Sequence, residues 1–378
     1  LLASDVEQGE LGDCWFLSAL AALAEVRQGL FIRELFPQQD RLSPAGAYVV
    51  RLCLGGQWRG ILVDDRLPCM DAGKGHKQLA YCVTHRMQLW ASLIEKAYAK
   101  ACGSYQATVG GESGEALSIL TGCPCELIRF VGEDFHPEQL WRKLCGSRDS
   151  GFLMTCSTTT CSVKASWLQA FHVYSLLGVY EESVPGKGRV RLVKIQNPNR
   201  LTKWQGAWSE SSSQWTPQLR QKLCREGGGD SRVFFMEFGD FLKQFAHCTI
   251  CRLQANGWEE RKQVSLAGGG QYRSGVSLRV SAKTDCSVSL VQPDERLARA
   301  PGSAPLIAAG FVVLQQDGNS VVEVARVRRS SHLSVDCRLS PEHSYLVVPL
   351  SLHSGPPAAA TVACVSAVGK PVTLQERR

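Results

Sequence analysis

One stretch constrains this chain more than any other: Gly12-Asp13-Cys14, followed by Trp15 to Val26, a run that is apolar on nearly every helical face. A helix with one apolar stripe lies on a surface, but one that is apolar all round has to be enclosed. The run therefore predicts a buried helix over 14–26, with Asp13 as its N-cap, around which the rest of the domain must be laid. It is shorter than the roughly 18 residues a membrane span requires and carries Ser18 and Glu25, so stable membrane insertion is not expected. The length of 378 residues suggests two or three domains.

Around this helix, Tyr48–Cys53 and Trp58–Val63 read as strands joined by Leu54-Gly-Gly-Gln. Met87 to Ala101 reads as a helix, with Leu89, Leu93, Ala97 and Lys100 in phase and Gly103 as its stop. Beyond about residue 150 the patterning turns to β. Phe171–Val179 and Val190–Ile195 form a predicted hairpin, and Val233–Phe245 ends this unit. After Gly268-Gly-Gly come short β runs at 276–280, 287–291, 311–315, 321–327 and 345–350. Short strands at that spacing predict a sandwich. The fold class expected is α+β.

The net charge of +7 is mild, and no dense Lys/Arg run or basic-aromatic stripe is present, which argues against a nucleic-acid partner. Sixteen cysteines at irregular spacing in a long chain, with no secretory signal before the first motif, predict reduced thiols in a cytoplasmic, intracellular protein. Cys248-x-x-Cys251 has no second pair at finger spacing, so no structural zinc is expected. The start at Leu-Leu-Ala-Ser, without Met, is expected of a fragment or a processed form. No phosphate loop or dinucleotide fingerprint points to an organic cofactor.

Three positions suggest chemistry. Cys14 stands where a helix N-terminus begins, and the dipole there favours a thiolate. His172 lies on a predicted strand and Asn197 at the end of the next one, so a hairpin can bring amide and imidazole together. A thiol, a proton-carrying imidazole and a group that orients it are what acyl transfer by a cysteine needs, and the pair is expected to rest as a thiolate–imidazolium ion pair. Gln8, with the Cys14 backbone N–H, is the expected oxyanion hole.

Gln8-Gly-Glu-Leu-Gly-Asp-Cys-Trp-Phe-Leu-Ser-Ala resembles the cysteine signature of the calpain family. So do Val63-Asp-Asp-Arg-Leu-Pro, Leu93-Ile-Glu-Lys-Ala-Tyr-Ala-Lys with Gly103-Ser-Tyr, His172-Val-Tyr-Ser and Gln205-Gly-Ala-Trp-Ser. In these motifs and in Phe238-Gly-Asp-Phe the chain is most similar to the small-optic-lobes (calpain-15) type. The resemblance covers roughly residues 4 to 255. It implies a papain-like core in two lobes, a helical lobe over 1–121 carrying Cys14 and a β lobe over 122–255 carrying His172 and Asn197. A calpain-type β-sandwich would follow over 262–378, a region whose Leu339-Ser-Pro-Glu-His-Ser-Tyr-Leu-Val-Val-Pro is similar to that domain. The implied activity is limited endoproteolysis of intracellular proteins. The oligomeric state and the substrate are not implied.

The resemblance also marks departures. Asn199 replaces a Trp that shields the His–Asn hydrogen bond, which predicts a less firmly oriented His172. Phe171 and Val173 replace smaller residues beside the histidine and predict a narrowed cleft. Two calcium ions are implied, with Asp5 and Glu210 as matching ligands. Gln88, Lys203, Ser231 and Val233 stand where carboxylates are expected, so calcium dependence is doubtful and at least the second site is expected to be lost. These departures motivate an alternative, a catalytically weak scaffold or binding module.

Overall fold

The structure is a computed structural model that describes residues 1–37, 41–73, 76–86, 88–159, 167–224, 231–254, 256–266, 275–298, 305–317, 320–353, 355, 357–366, 369 and 371–377. The apolar run forms helix α1 (Cys14–Glu25), and every residue from Trp15 to Ala24 is buried. The Asp13 carbonyl accepts the Phe16 and Leu17 N–H groups and opens the helix. The Asp13 side chain makes no cap bond, contrary to the sequence reading. It turns inward instead. With the short helix α2 (Leu30–Glu34), the stretch Cys14–Glu34 is long and apolar enough to cross a bilayer by length and composition alone. It is broken at Arg27 and Gln28, whose φ angles are 46° and 55°, and α1 is enclosed by the protein.

Around α1 lie a two-stranded pairing of β1 (Val6–Glu7) with β6 (Val83–Thr84), the hairpin β2 (Ala47–Leu54)–β3 (Gln57–Asp64), and a small ribbon of β4 (Cys69–Asp71) and β5 (Lys77–Leu79). Helices α3 (Trp90–Cys102) and α4 (Ser113–Thr121) complete this first unit. Helix α3 stops at Gly103, whose φ of 98° only glycine adopts readily; Met87, the predicted start, lies outside the described residues. One hydrophobic cluster gathers α1, β2, α3 and α4. Leu17, Leu20 and Leu23 are fully buried in it, each side chain contributing about 1.5–3 kcal/mol of apolar burial.

Helix α4 ends at Thr121, and Gly122 (φ 69°) turns the chain into a six-stranded antiparallel sheet. Its strands are β7 (Cys125–Arg129), β8 (Leu153–Ser157), β9 (Val173–Val184), β10 (Gly188–Gln196), β11 (Val233–Glu237) and β12 (His247–Cys251), in the order β11-β10-β9-β8-β12-β7. Helices α5 (Pro137–Asp149), α6 (Pro217–Leu223) and α7 (Phe238–Gln244) accompany it. Helix α1 is tied to β9 by Ser18 Oγ donating to the Val173 carbonyl (2.8 Å) and Ser175 Oγ donating to the Ser18 carbonyl (2.7 Å). An N-terminal strap runs across both units. It receives Gln196 Nε2 at the Ala3 carbonyl (2.9 Å) and Arg232 at the Val6 carbonyl, while the Gln8 N–H donates to the Pro198 carbonyl (2.8 Å).

The C-terminal unit holds two antiparallel sheets with a shared hydrophobic cluster. One contains β13 (Trp258–Leu266), β20 (Ala358–Ser366), β15 (Thr284–Val291) and β18 (His332–Leu339). The other contains β17 (Ser320–Arg329), β16 (Ala308–Gln315), β19 (Tyr345–Ser351), β14 (Gly275–Val280) and β21 (Val372–Arg377), and a short helix α8 (Glu295–Ala298) follows β15. The predicted strands at 276–280, 287–291, 311–315, 321–327 and 345–350 fall within β14, β15, β16, β17 and β19. Gly268–Gly270 lies outside the described residues. The unit docks on the first one: Arg261 donates to the carbonyls of Gly56 (3.1 Å) and Gly122 (2.8 Å), and Thr361 Oγ1 donates to that of Gly55 (2.9 Å).

Candidate active site

The β9–β10 hairpin register pairs Ser175 with Gln196, so the residues just before β9 and just after β10 emerge side by side. His172 and Asn197 occupy those two ends. His172 Nε2 and Asn197 Oδ1 are 2.9 Å apart, and both residues are buried. The amide's orientation is set by Asn197 Nδ2, which donates to the Thr202 carbonyl (3.0 Å), and by the Asn199 N–H, which donates to Oδ1 (3.2 Å). An amide oxygen can only accept, so the imidazole carries its proton on Nε2 and leaves Nδ1 basic. The Tyr174 ring stands edge-on to the imidazole at 4.8 Å.

Cys14, the first residue of α1, is half-buried, and backbone N–H groups of Val173, Trp15 and Cys14 itself favour its thiolate. Val173 follows His172 directly, so the Ser18–Val173–Ser175 contacts bring thiol and imidazole to neighbouring positions. Burial dominates both protonation states. It pushes the Cys14 thiol above its usual range, and Asp13 beside it adds to this. The same effect pulls His172 down to about 4, partly opposed by the Asn197 hydrogen bond. Burial thus disfavours the charged form of each group and opposes the ion pair expected from sequence.

Gln8 spends one Nε2 hydrogen on the Leu11 carbonyl (2.7 Å) and retains a second. Asn199 is buried and does more than fill the place of an indole. Its Nδ2 donates to Gln169 Oε1 (2.8 Å) and reaches Gln8 Oε1 (3.4 Å), and its Oδ1 accepts the Leu201 N–H (3.1 Å). The His172–Asn197 bond is thus braced by a polar network, a role that sequence reasoning missed because Gln169 and Gln8 are remote in the chain. Phe171 is 72% exposed with φ 50°, so its ring stands in solvent. A left-handed backbone strains an aromatic residue by about 1–2 kcal/mol. Phe171→Gly is accordingly expected to raise stability by about 1 kcal/mol, measured by urea denaturation; a decrease would mean the ring makes contacts that outweigh the strain.

Behind Cys14 lies a second pair. Asp13 and Glu95 are buried against each other, and both Glu95 oxygens accept the Cys82 N–H (3.1 and 3.2 Å). Burial raises Asp13 to about 7 and Glu95 well above the usual carboxyl range, the nearness of Asp13 adding to the latter. Burial favours one proton held between the pair, and that proton gives a partner to one of the two otherwise unpartnered Asp13 oxygens.

The residues implied as calcium ligands are already neutralised. Asp5 is clasped by Arg86, whose Nε donates to Oδ1 at 2.8 Å and whose Nη2 bonds Oδ2, and it also accepts the Leu2 N–H (2.8 Å). Glu210 pairs with Lys203. Gln88 Oε1 accepts from the Trp90 indole (2.7 Å). Among the described residues no group of three or more His, Cys, Asp or Glu side chains is placed to hold a metal ion. These residues do not fit calcium: a cation there has to displace a guanidinium or an ammonium. Arg86 itself has φ 60°, an unusual backbone that lets it reach Asp5.

Comparison with known proteins shows the family. The family model for calpain family cysteine proteases matches residues 1–252. The calpain-type cysteine protease DEK1 of Arabidopsis thaliana is 31% identical over 394 aligned positions, covering 93% of this chain and 18% of that protein. Calpain-9 of Homo sapiens is 33% identical over 350 positions, covering 82% of this chain and 49% of that protein. The chain thus spans half or less of the length of these relatives. On the match across two-thirds of its length, the chain belongs to the calpain family of cysteine proteases.

Proposed function

We propose that this chain is the catalytic portion of an intracellular, calpain-type cysteine endopeptidase, of the small-optic-lobes (calpain-15) type, that makes limited cuts in protein substrates. In this reading the first two units are papain-like lobes over 1–121 and 122–255, and the C-terminal unit is the calpain β-sandwich. The observation that carries it is the buried His172–Asn197 hydrogen bond, formed where the β9–β10 ends meet the start of α1. Binding of an extended peptide excludes water and lets the thiol proton pass from Cys14 Sγ to His172 Nδ1. The thiolate attacks the scissile carbonyl, and the oxyanion is held by the Cys14 N–H with the second Gln8 amide hydrogen. The tetrahedral adduct collapses as His172 returns the proton to the leaving amine. Water, deprotonated by His172, then releases the acid from the thioester.

Calcium enters none of these steps, since Arg86 and Lys203 occupy the carboxylates it would need. The test is hydrolysis of a fluorogenic peptide, or of unfolded casein, by the purified chain in excess chelator and in millimolar calcium. Equal rates are expected, and calcium is expected to leave the melting temperature unchanged. A calcium requirement would overturn the reading of these two ion pairs. Turnover in neither condition by a folded chain would favour the alternative, a scaffold or binding module.

A further inference from the structure

The wall behind Cys14 is met from the far side by one side chain of the C-terminal unit. Asp294 Oδ1 accepts the N–H groups of Arg296 and Leu297 (both 2.8 Å), which sets the short helix α8 against the first unit, with Leu297 buried in the cluster that also holds Trp15 and Phe16. The Arg296 guanidinium lies 4.7 Å from the Trp15 ring centroid. Its Nη1 bonds both oxygens of Glu115 (2.6 Å each), and its Nη2 donates to the Gly110 carbonyl.

Each of these contacts leads toward the nucleophile. Trp15 follows Cys14 and donates its indole N–H to the Thr108 carbonyl (2.9 Å). The Gly110 N–H bonds the Gly12 carbonyl (2.8 Å), two residues before Cys14. Glu115 Oε1 accepts the Tyr98 hydroxyl (2.8 Å), and the Tyr98 ring stacks on Phe16 at 4.8 Å and 6°. There is no slack. A Cβ on Gly111 would lie 2.5 Å from the Trp15 ring and 2.9 Å from Arg296 Nη2. The Arg296–Glu115 side chains are only 17% and 15% exposed, so solvent screens them little.

We propose that Arg296 is a positioning residue for catalysis: it locks the C-terminal unit to the Gly110–Glu115 segment and to Trp15, and so holds the N-terminal turn of α1 in the place from which Cys14 reacts. This rests on the reading of Cys14 as the nucleophile. The C-terminal unit is then part of the working enzyme and not an appendage. Simple docking is already supplied elsewhere, by Arg261 and Thr361, which contact no residue bonded to the α1 start. A guanidinium is suited to the task because its planar fork reaches a carboxylate, a carbonyl and an aromatic face at once.

The test compares the full 378-residue chain with Arg296→Met and Arg296→Lys. Methionine keeps most of the stem and loses charge and donors; lysine keeps the charge and loses the fork. Arg296→Met is expected to lower kcat on a fluorogenic peptide by about tenfold or more while KM stays within about twofold. The rate of Cys14 alkylation by a peptidyl epoxide falls in parallel, and Arg296→Lys lies between. Amide hydrogen exchange is expected to rise over 109–116 and 15–18 while that of the two C-terminal sheets is unchanged. Turnover, alkylation and exchange all matching the wild type would overturn the proposal, as would a loss that appears only in melting temperature. Should Arg296→Met fail to fold, Glu115→Gln, which removes the ion pair and keeps an acceptor for Tyr98, is expected to move the same quantities in the same direction. Absence of epoxide labelling at Cys14 in the wild type would sink the nucleophile reading instead. The exchange measurement still decides whether Arg296 holds the α1 start.

Discussion

Cys14→Ala is expected to lower peptide turnover by about 10⁴-fold or more, and His172→Ala to lower it by a similar factor. The two losses should not multiply. A thiol without its base and a base without its thiol are equally unable to form the acyl-enzyme, so the double variant is expected to match either single one. Asn197→Ala should cost less, because it removes the partner of Nε2 but leaves both reacting groups. Rates measured per mole of folded protein decide the matter. Cys14→Ala retaining even a tenth of wild-type turnover would falsify the assignment of Cys14 as nucleophile. Additive losses in the double variant would mean that the two residues act in separate steps.

The second large effect belongs to the pair behind the nucleophile. Asp13 titrates near 3.8 when unperturbed and at about 7 in the fold, where burial favours its neutral form. The folded state therefore holds an extra proton between those values. The stability this contributes is full below about pH 4 and is lost as pH rises through 7. Asp13→Asn is neutral at every pH and escapes the loss. Relative to wild type it is expected to gain on the order of 4 kcal/mol at pH 8 and nothing comparable at pH 4. Glu95, the Cys82 thiol and the Tyr105 hydroxyl face this site, and all three are pushed toward their neutral forms by burial; Arg232 acts on Cys82 as the nearby cation. His172 runs the other way, since its fold value of about 4 lies below the ordinary 6.5 and removes stability as pH falls through that interval. The absolute wild-type profile is thus partly cancelled between these groups, and the variant-minus-wild-type difference in urea denaturation is the quantity to read. A difference of the same size at pH 4 and pH 8 would refute the shared-proton description.

Part of the first two units was legible because the signals are local, while β7, β8, β12, α4 and α5 were not singled out. An apolar run behind Gly12-Asp13, a 3.6-residue pattern stopped by Gly103, and two β runs around a turn announce α1, α3 and β9–β10 without knowledge of their neighbours. The meeting of His172 and Asn197 was legible by the same logic, since a strand pair delivers its ends together. Strand β20 was missed because Ala358-Ala-Ala-Thr-Val-Ala-Cys lacks the bulky β-branched pattern and is a strand by virtue of pairing with β13 and β15. Strands β13, β18 and β21 were likewise not singled out. The inward turn of Asp13 depended on Glu95, the bracing by Asn199 on Gln169, and the neutralisation of Asp5 on Arg86. Each is a partner distant in sequence, and a residue's type says what it can bond, not which remote side chain will arrive. Desolvation of the Cys14–His172 pair was invisible for the same reason.

The N-terminal strap carries a consequence for how the first two units are set. Residues Ala3–Gln8 are stitched to the first unit through β1–β6 and the His85 N–H at the Asp5 carbonyl (3.0 Å), and to the second through Gln196, Arg232 and Pro198. The two units are therefore laced together by the polypeptide, so the conformational entropy of aligning them is lost once, when the chain folds. In the proposed endopeptidase such a prealigned pair of units acts as a preset mould: a segment has to unfold locally to enter it, and the flexibility that decides whether a cut occurs belongs to the substrate.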